Sequence, residues 1–314
     1  MNAGFGHIPV LMDEVLFHIL RPMTRSALDA TLGAGGHAEA ILKAMDQVRL
    51  IGMDRDDAAV ELSRRRLAPF GGRASLTRAD FSQIGRVLDE NNLPTVDAVL
   101  MDLGVSSMQI DNPQRGFSFT HPGPLDMRMD KSQQTTAGDI VNSADEKELV
   151  RIFREYGEER GAVKVARAIV RERALSPIET TDRLAGIVSR VSAQAPGRRR
   201  IHPATRVFQA LRIAVNDELG GLRSALQAAV DRLNPGGRIA VISFHSLEDR
   251  IVKRAFLDMA AECVCPRGVP VCVCGKAAVV KIITKKPVSP LAAEAESNPR
   301  SRSARLRVAE KLAA

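Results

Sequence analysis

The stretch Ala27-Leu28-Asp29-Ala30-Thr31-Leu32-Gly33-Ala34-Gly35-Gly36-His37 decides the fold of this chain. Its first six residues form a mostly apolar run with the length of a buried strand, and the glycines that follow are typical of a tight turn. After the turn, apolar residues recur at helical spacing, at Ala38, Ile41, Leu42 and Met45. The stretch therefore predicts a strand, a glycine turn and a helix in immediate succession.

The same alternation continues through the first hundred residues. Short apolar runs predict further strands at 48–53, 74–81 and 96–101, and a helix fits 58–67. Later strand candidates lie at 238–244, 281–284 and 304–309, and Asn234-Pro235-Gly236-Gly237 predicts a tight turn before the first of these. Strands that alternate with helices predict a parallel, doubly wound α/β sheet.

Residues 111–201 interrupt this alternation. The chain from 106 to 139 is rich in Gly, Pro, Asp and Ser with little periodicity, and the pattern from 145 to 200 is purely helical. We therefore predict an α/β domain made of residues 1–110 and 202–314. A loop and a helical insertion domain, residues 111–201, separate its two parts.

Composition and charge narrow the class of protein. Hydrophobic residues make up 45% and charged residues 26% of the 314 positions, which is typical of a globular protein and excludes a disordered or disulfide-scaffold chain. Neither a long apolar run nor a targeting signal is evident, so we expect a soluble cytoplasmic protein that binds no membrane. The net charge of +8 favours a nucleic-acid partner, although many basic proteins bind nothing anionic.

Acidic side chains end several of the predicted strands. Asp29, Asp54 and Asp102 stand at strand ends, and Phe81 ends the third strand, so all four are expected along the edge where open α/β sheets bind ligands. Asp29 would repel a pyrophosphate but attract an ammonium group, and Asp54 is placed to accept ribose hydroxyls. The pattern therefore favours S-adenosylmethionine over a nicotinamide dinucleotide, although Gly33–Ala38 also fits the dinucleotide pattern and a plain tight turn stays possible.

Longer motifs lie on both sides of the predicted insertion. They are His7-Ile8-Pro9-Val10-Leu11, Gly35-Gly36-His37, Asp102-Leu103-Gly104-Val105-Ser106-Ser107, Arg115-Gly116-Phe117-Ser118-Phe119, Gly123-Pro124-Leu125-Asp126-Met127-Arg128-Met129-Asp130, Tyr156-Gly157-Glu158-Glu159-Arg160, His202-Pro203-Ala204-Thr205-Arg206 and Ser243-Phe244-His245-Ser246-Leu247-Glu248-Asp249-Arg250. In these motifs the sequence resembles the bacterial small-subunit (16S) rRNA cytosine-N4 methyltransferases of the MraW/RsmH type. The resemblance covers nearly the whole chain.

The resemblance implies a class I, Rossmann-like, S-adenosylmethionine-dependent methyltransferase fold with an inserted all-α domain. The implied reaction is methylation of the exocyclic N4 of a cytidine in the decoding region of 16S rRNA, with the small ribosomal subunit as partner. The family's cofactor contacts fall on Gly35, Gly36, His37, Asp54, Phe81, Asp102 and Gln109. Two alternatives stay open: a DNA amino-methyltransferase, and a non-catalytic RNA-binding assembly or regulatory factor.

Four carboxylate or imidazole groups are candidates for catalysis. Asp102 is placed to accept a hydrogen bond or a proton from the target amino group, and the alternative is that it only binds cofactor. His245 and Asp249 lie four residues apart at a predicted helix start, where they either orient the target nucleotide or form a helix cap with a local ion pair. Asp126 belongs to a loop that we expect to cover the base.

Basic residues and cysteines complete the candidates. Arg198, Arg199, Arg200 and Arg206 form the densest basic cluster, which suits phosphate contacts unless it is only a solvated linker.

The cysteine pairs Cys263/Cys265 and Cys272/Cys274 have one intervening residue each, whereas metal-ligand pairs usually have two to four. We therefore expect no metal and a reduced surface hairpin, although four thiols within twelve residues keep a soft-metal site open as the alternative.

Overall fold

The computed structural model describes residues 9–192, 202–266 and 271–313. Its strands are β1 (Ser26–Asp29), β2 (Arg49–Asp54), β3 (Ala74–Arg78), β4 (Val96–Asp102), β5 (Leu233–Ser243), β6 (Val280–Ile282) and β7 (Arg305–Lys311). Its helices are α1 (Met12–Ile19), α2 (Gly36–Ala44), α3 (Asp57–Leu67), α4 (Ile84–Glu90), α5 (Ser107–Asp111), α6 (Ala137–Ser143), α7 (Glu146–Glu155), α8 (Ala162–Leu175), α9 (Thr181–Val191), α10 (Ala204–Asn216), α11 (Leu222–Asp231), α12 (Ser246–Met259) and α13 (Ala292–Ser297).

The chain forms two compact units. We call Met1–Gly104 with Leu219–Ala314 the sheet unit and Val105–Glu218 the helical unit. The sequence-predicted boundaries, after residues 110 and 201, differ because α10 packs with α7 and α9 through buried Val207 and Leu211 and so belongs to the helical unit.

The sheet unit is built on one seven-stranded sheet. Its strand order is β3-β2-β1-β4-β5-β7-β6; β1 to β5 are parallel, and β7 runs antiparallel to both of its neighbours. Strand β1 is buried along its length, with Leu28 in the apolar cluster on one face and Ala27 in the cluster on the other. This arrangement confirms the predicted α/β class and the class I methyltransferase fold.

Strand β5 departs from the sequence-based prediction at its start. The predicted turn at 234–237 is wrong, because β5 begins at Leu233 and includes these residues as an irregularity. Val96 of β4 pairs with Leu233, but Ala98, two residues further on, pairs with Arg238. The extra residues bulge out of the ladder, and Gly236 supplies the positive φ of 78° that such a bulge uses.

The helical unit has its own apolar core. Helix α7 places Leu149, Ile152 and Phe153 in a cluster with residues of α8, α9 and α10. The loop before α6 is ordered rather than structureless: Gly123 lies so close to the backbone that an added Cβ would stand 1.9 Å from the Pro113 carbonyl oxygen. The Asn216 side chain also accepts from the Met129 N–H at 2.7 Å and donates to the Met127 carbonyl at 2.8 Å.

Within the part of the chain that the structure describes, no helix has both the length and the apolar character needed to cross a membrane.

Candidate active site

The glycine turn joins the end of β1 to the start of α2. Gly35 precedes α2 with φ of 74°, a left-handed conformation that side chains rarely adopt. It also lies against α3, since an added Cβ would stand 2.8 Å from Ser63 Oγ. Ser63 in turn donates to the Gly33 carbonyl at 2.8 Å. Helix α3 therefore supports the turn by packing against it. The backbone N–H groups at the start of α2 can bind a ligand on the other side.

Three acids end adjacent parallel strands beside this turn. Asp29, Asp54 and Asp102 are the last residues of β1, β2 and β4, which lie next to one another in the sheet. Asp54 accepts the Gly33 N–H at 2.8 Å and the Asp56 N–H at 2.9 Å, so it also fixes the glycine turn. Asp29 accepts the Thr31 N–H at 3.2 Å. We call these three residues the acidic edge.

Burial makes the acidic edge hard to ionise. It raises the pKa of Asp29 to about 7 and that of Asp54 above its usual value, although backbone N–H donors partly oppose both shifts. Burial also raises the pKa of Asp102, and the nearby charges of Asp29 and Glu248 raise it further. A positively charged ligand would relieve this repulsion, whereas a pyrophosphate would increase it.

The two carboxylate oxygens of Asp102 differ in their contacts. Its Oδ2 lies 3.6 Å from Nδ1 of His37, and its backbone N–H donates to Thr31 Oγ1. Nε2 of His37 lies 3.0 Å from the Val10 carbonyl oxygen, which only accepts, so Nε2 carries a proton. The other oxygen, Oδ1, is buried and has no hydrogen-bond partner among the described residues. A buried carboxyl oxygen without a partner is a costly feature that a bound donor would satisfy.

Phe81 and Gln109 lie in different units. Phe81 begins a short 3₁₀ turn after β3, packs partly buried against the sheet core, and has the Arg55 guanidinium 5.6 Å from its ring centre. Arg55 also pairs with Asp80. Gln109 belongs to the helical unit, where its buried side chain accepts from the Ser106 N–H at 3.1 Å and caps α5.

His245 and Asp249 make separate contacts at the start of α12. His245 is the N-cap residue, and its Nδ1 accepts the Glu248 N–H at 3.4 Å. Asp249 instead binds Arg307 of β7, with Nε to Oδ1 at 2.6 Å and Nη2 to Oδ2 at 3.1 Å, and Arg305 at 3.1 Å. Burial opposes ionisation of Asp249, but these two arginines outweigh it and hold its pKa below the usual value. The cap at His245 matches one part of the structural alternative, whereas the ion pairs of Asp249 reach β7 and are not local.

Asp126 is also paired. In the helical unit it binds Arg128 in bidentate fashion, with Nε to Oδ1 at 2.8 Å and Nη2 to Oδ2 at 2.9 Å. Burial raises its pKa, but the hydrogen bonds and charge of Arg128 bring it below the usual value. The same guanidinium donates to the Gln133 carbonyl at 2.6 Å, so the pair fixes the loop.

The candidate RNA contacts are mostly outside the described residues. Arg198, Arg199 and Arg200 fall between residues 192 and 202 and have no described structure. Arg206 is exposed in α10 and donates to the Glu158 carbonyl at 3.3 Å.

Two residues at the acidic edge were missed by sequence reasoning. Thr31 anchors the Asp102 backbone, and the buried Glu248 contributes the charge that raises the Asp102 pKa. Thr31 lies inside the stretch that decides the fold, so its position carried a signal. Glu248 lies inside the motif 243–250, but no local pattern indicates that it reaches the acidic edge on folding.

Comparison with known proteins identifies the family. A family model described as the MraW methylase family matches residues 4–312. Proteins named ribosomal RNA small subunit methyltransferase H are similar over nearly their whole length. The one from Carboxydothermus hydrogenoformans is 53% identical over 98% of both chains, and the one from Oleidesulfovibrio alaskensis is 53% identical over 98% of this chain and 95% of its own. The chain therefore belongs to the MraW methylase family, and its cofactor is S-adenosylmethionine.

Proposed function

We propose that the protein methylates small-subunit rRNA, and more closely that it methylates the exocyclic N4 of one cytidine in the decoding region of 16S rRNA. The names of its relatives support the rRNA substrate. The observation that carries the finer proposal is the open Oδ1 of Asp102, a buried acceptor suited to an amino group. The motif resemblance supports cytosine as the base.

The acidic edge fits the cofactor. S-adenosylmethionine supplies a methyl group on a positively charged sulfonium and also carries an ammonium group. We assign Gly35, Gly36 and His37 to contacts with its amino-acid part, and Asp29 to its ammonium group. Asp54 would accept its ribose hydroxyls, and Phe81 would flank its adenine. The buried carboxyls, which repel one another when ionised, support these assignments. Asp102 completes the proposed set in the sheet unit, whereas the assignment of Gln109, in the helical unit, rests on the motif resemblance alone.

Asp102 is the proposed proton acceptor. The amino group of cytosine is conjugated with its ring and is a weak nucleophile, so an acceptor that aligns it and removes a proton speeds methyl transfer. S-adenosylmethionine, when bound, would supply the methyl group to N4 and leave as the demethylated thioether, and Oδ1 of Asp102 would accept the proton that N4 gives up. Nδ1 of His37 lies 3.6 Å from Oδ2 on the other side, so His37 is proposed as a positioning residue.

The helical unit and the basic cluster are proposed to bind RNA. Arg198, Arg199, Arg200 and Arg206 would contact phosphates, which position the RNA without reading its sequence. The net charge of +8 supports a polyanionic substrate. The contacts of Asp126, His245 and Asp249 favour structural roles for these residues, so Asp102 is the acid–base candidate that we carry forward.

Mapping the modified nucleotide tests the proposed function. Small subunits from cells with and without this protein should differ in methylation at one decoding-region cytidine, and the purified protein should restore the mark with S-adenosylmethionine. Equal or greater activity on duplex DNA would favour the DNA amino-methyltransferase. Cofactor binding without turnover on any RNA would favour the assembly factor.

Replacing Asp54 with alanine should weaken cofactor binding at least about tenfold. Hydrogen bonds to a charged group contribute about 1.5–3 kcal/mol each, and the substitution also removes the acceptor of the Gly33 N–H. Calorimetric titration with S-adenosylmethionine measures the change. The control is Asp57→Ala, because Asp57 is exposed on α3 and pairs with the exposed Arg78 side chain at 2.9 Å. Equal affinities in both variants would remove Asp54 from the cofactor site.

Cofactor affinity should rise with pH between about 6 and 7.5. The Asp29 pKa near 7 means that its carboxylate forms over this range, and an ionised carboxylate binds the ammonium group more strongly. The dissociation constant should fall by up to about tenfold per pH unit below the pKa and then level off. Asp29→Asn should flatten the profile, whereas the exposed-site control Asp46→Asn should retain it.

The free energy of unfolding of the cofactor-free protein should fall as the pH rises, whereas the cofactor affinity should increase. Because folding raises the Asp29 pKa from its usual value to about 7, its contribution to stability is largest at low pH and is lost as the pH rises towards 7. A cofactor affinity that does not vary with pH in the wild-type protein would contradict the assignment of Asp29.

A further inference from the structure

The segment between α12 and β6 brings four cysteine thiols together. Cys263 Sγ and Cys272 Sγ are 3.5 Å apart, and Cys272 Sγ lies 3.5 Å from Cys274 Sγ and 4.0 Å from Cys265 Sγ. Cys274 Sγ and Cys263 Sγ are 3.8 Å apart. All four sulfur atoms lie within 4.8 Å of one another. We call these residues the cysteine cluster.

The separations match a tetrahedron around one ion. Zinc–sulfur bonds of about 2.3 Å at the tetrahedral angle place the sulfurs about 3.8 Å apart, and these four sulfur–sulfur distances lie on both sides of this value. Disulfides do not explain the arrangement, because a bonded pair would be about 2.05 Å apart and all four cysteines are free. An iron–sulfur cluster would hold the thiolates farther apart around its own atoms.

The backbone around the cysteine cluster also suits thiolates. The Val264 N–H donates to Cys274 Sγ at 3.4 Å, and the Cys265 N–H donates to Cys263 Sγ at 3.3 Å. Hydrogen bonds of this kind orient metal ligands and stabilise their charge. Residues two apart in an extended chain point to the same side, so one intervening residue brings both sulfurs of a pair to a common ion.

Burial gives the segment little stability of its own. Val264, Val271 and Val273 are 62%, 71% and 82% exposed, so the residues beside the cysteines bury little apolar surface. The base of the segment is closed by the Val279 N–H, which donates to the Met259 carbonyl at 2.8 Å. The described residues of the segment bury little apolar surface and yet hold four thiols together, which is typical of a metal-stapled loop.

We propose that Cys263, Cys265, Cys272 and Cys274 bind one zinc ion as four thiolates. This differs from the sequence-based expectation of no metal, which considered the spacing within each pair and not the contacts between the pairs. The ion would be structural, since four protein ligands leave no open position for a substrate. Its role would be to hold the segment that leads from α12 to β6.

Metal analysis of the whole protein tests the proposal. Protein purified under reducing conditions without chelator should contain about one zinc per chain, measured by inductively coupled plasma mass spectrometry. Cys263→Ser with Cys272→Ser should contain almost none, and Cys265→Ser alone should lose zinc to a chelator more readily. Cobalt substitution of the wild-type protein should give the intense visible bands of tetrahedral thiolate coordination.

The matched controls are Val264→Ser and Val273→Ser, which alter the same segment without touching a thiol and should keep the zinc. Cofactor titration and circular dichroism should show that the cysteine variants remain folded. Three results would overturn the proposal: four titratable thiols with no metal, two disulfides in the native protein, or iron in place of zinc.

Discussion

Asp102→Asn should lower the single-turnover rate at saturating S-adenosylmethionine by about 10²-fold or more, the scale of a positioned proton transfer. Asparagine has nearly the same size and keeps an acceptor oxygen, but its amide does not take up the N4 proton. The position of the side chain should be unchanged, because the substitution leaves the backbone N–H on Thr31. Affinity for RNA should stay nearly constant, since phosphate contacts supply most of it.

Asp54→Asn is the control for this substitution. It alters another member of the acidic edge, but its lower rate should come only from weaker cofactor binding. The rate should therefore recover at saturating S-adenosylmethionine. If Asp102 only held the cofactor, both variants would behave in this way. An Asp102→Asn rate within a few-fold of the wild type would remove Asp102 from the chemical step.

The pH dependence gives a second readout for Asp102. Burial and the neighbouring charges of Asp29 and Glu248 raise its pKa, so the base form is lost as the pH falls through this raised value. The wild-type single-turnover rate should therefore rise with pH, and the residual rate of Asp102→Asn should lack this rise. A wild-type profile that is level down to the ordinary pKa range of aspartate would contradict the role of Asp102 as a base.

Asp249→Ala should destabilise the folded protein by about 3–5 kcal/mol, because it leaves the buried Arg307 without its bidentate partner. The side chains of Asp249 and Arg307 are each only 9% exposed, so solvent does little to replace the lost pair. Chemical denaturation measures the change. Asp258→Ala on the same helix is the control: its partner Arg223, at 2.7 Å, is exposed, and the expected loss is about 1 kcal/mol or less.

The same variant separates a structural from a catalytic role. If Asp249 acts only through Arg305 and Arg307, the folded fraction of Asp249→Ala should keep its cofactor affinity and its turnover per molecule. A loss of turnover of about 10²-fold without a loss of stability would restore Asp249 as a catalytic residue.

The first half of the sheet was predictable because its signals are local. The apolar runs that became β1, β2 and β4 are each followed at once by an acid or a glycine turn, so a short window of sequence shows both the strand and its end. The start of β5 was not predictable in this way. Asn-Pro-Gly-Gly is typical of a turn, and only pairing with β4 keeps these residues within the strand as a bulge.

The residues of the candidate site also differ in how far the sequence predicts them, depending on whether their signal is local. The acidic edge was predictable, because each of its residues ends an apolar run that the sequence shows. The partner of Asp249 lies 58 residues away on β7, and no local pattern indicates that Arg307 will face it. The closeness of the two cysteine pairs was not visible in the sequence for a related reason, since it depends on two pairs meeting across the segment.

The split of the sheet unit along the chain bears on how the protein folds during synthesis. Strand β4 pairs with β1 on one side and β5 on the other, and about 130 residues separate β4 from β5. At ribosomal rates of about 5–20 residues per second, roughly 6 to 26 s pass between the synthesis of β4 and that of β5. The edge of β4 that pairs with β5 is unpaired during this time. Unpaired strand edges promote aggregation, so this interval is the period of greatest risk for the nascent chain. The helical unit is continuous in sequence and emerges within that interval, so it can fold before the sheet is complete.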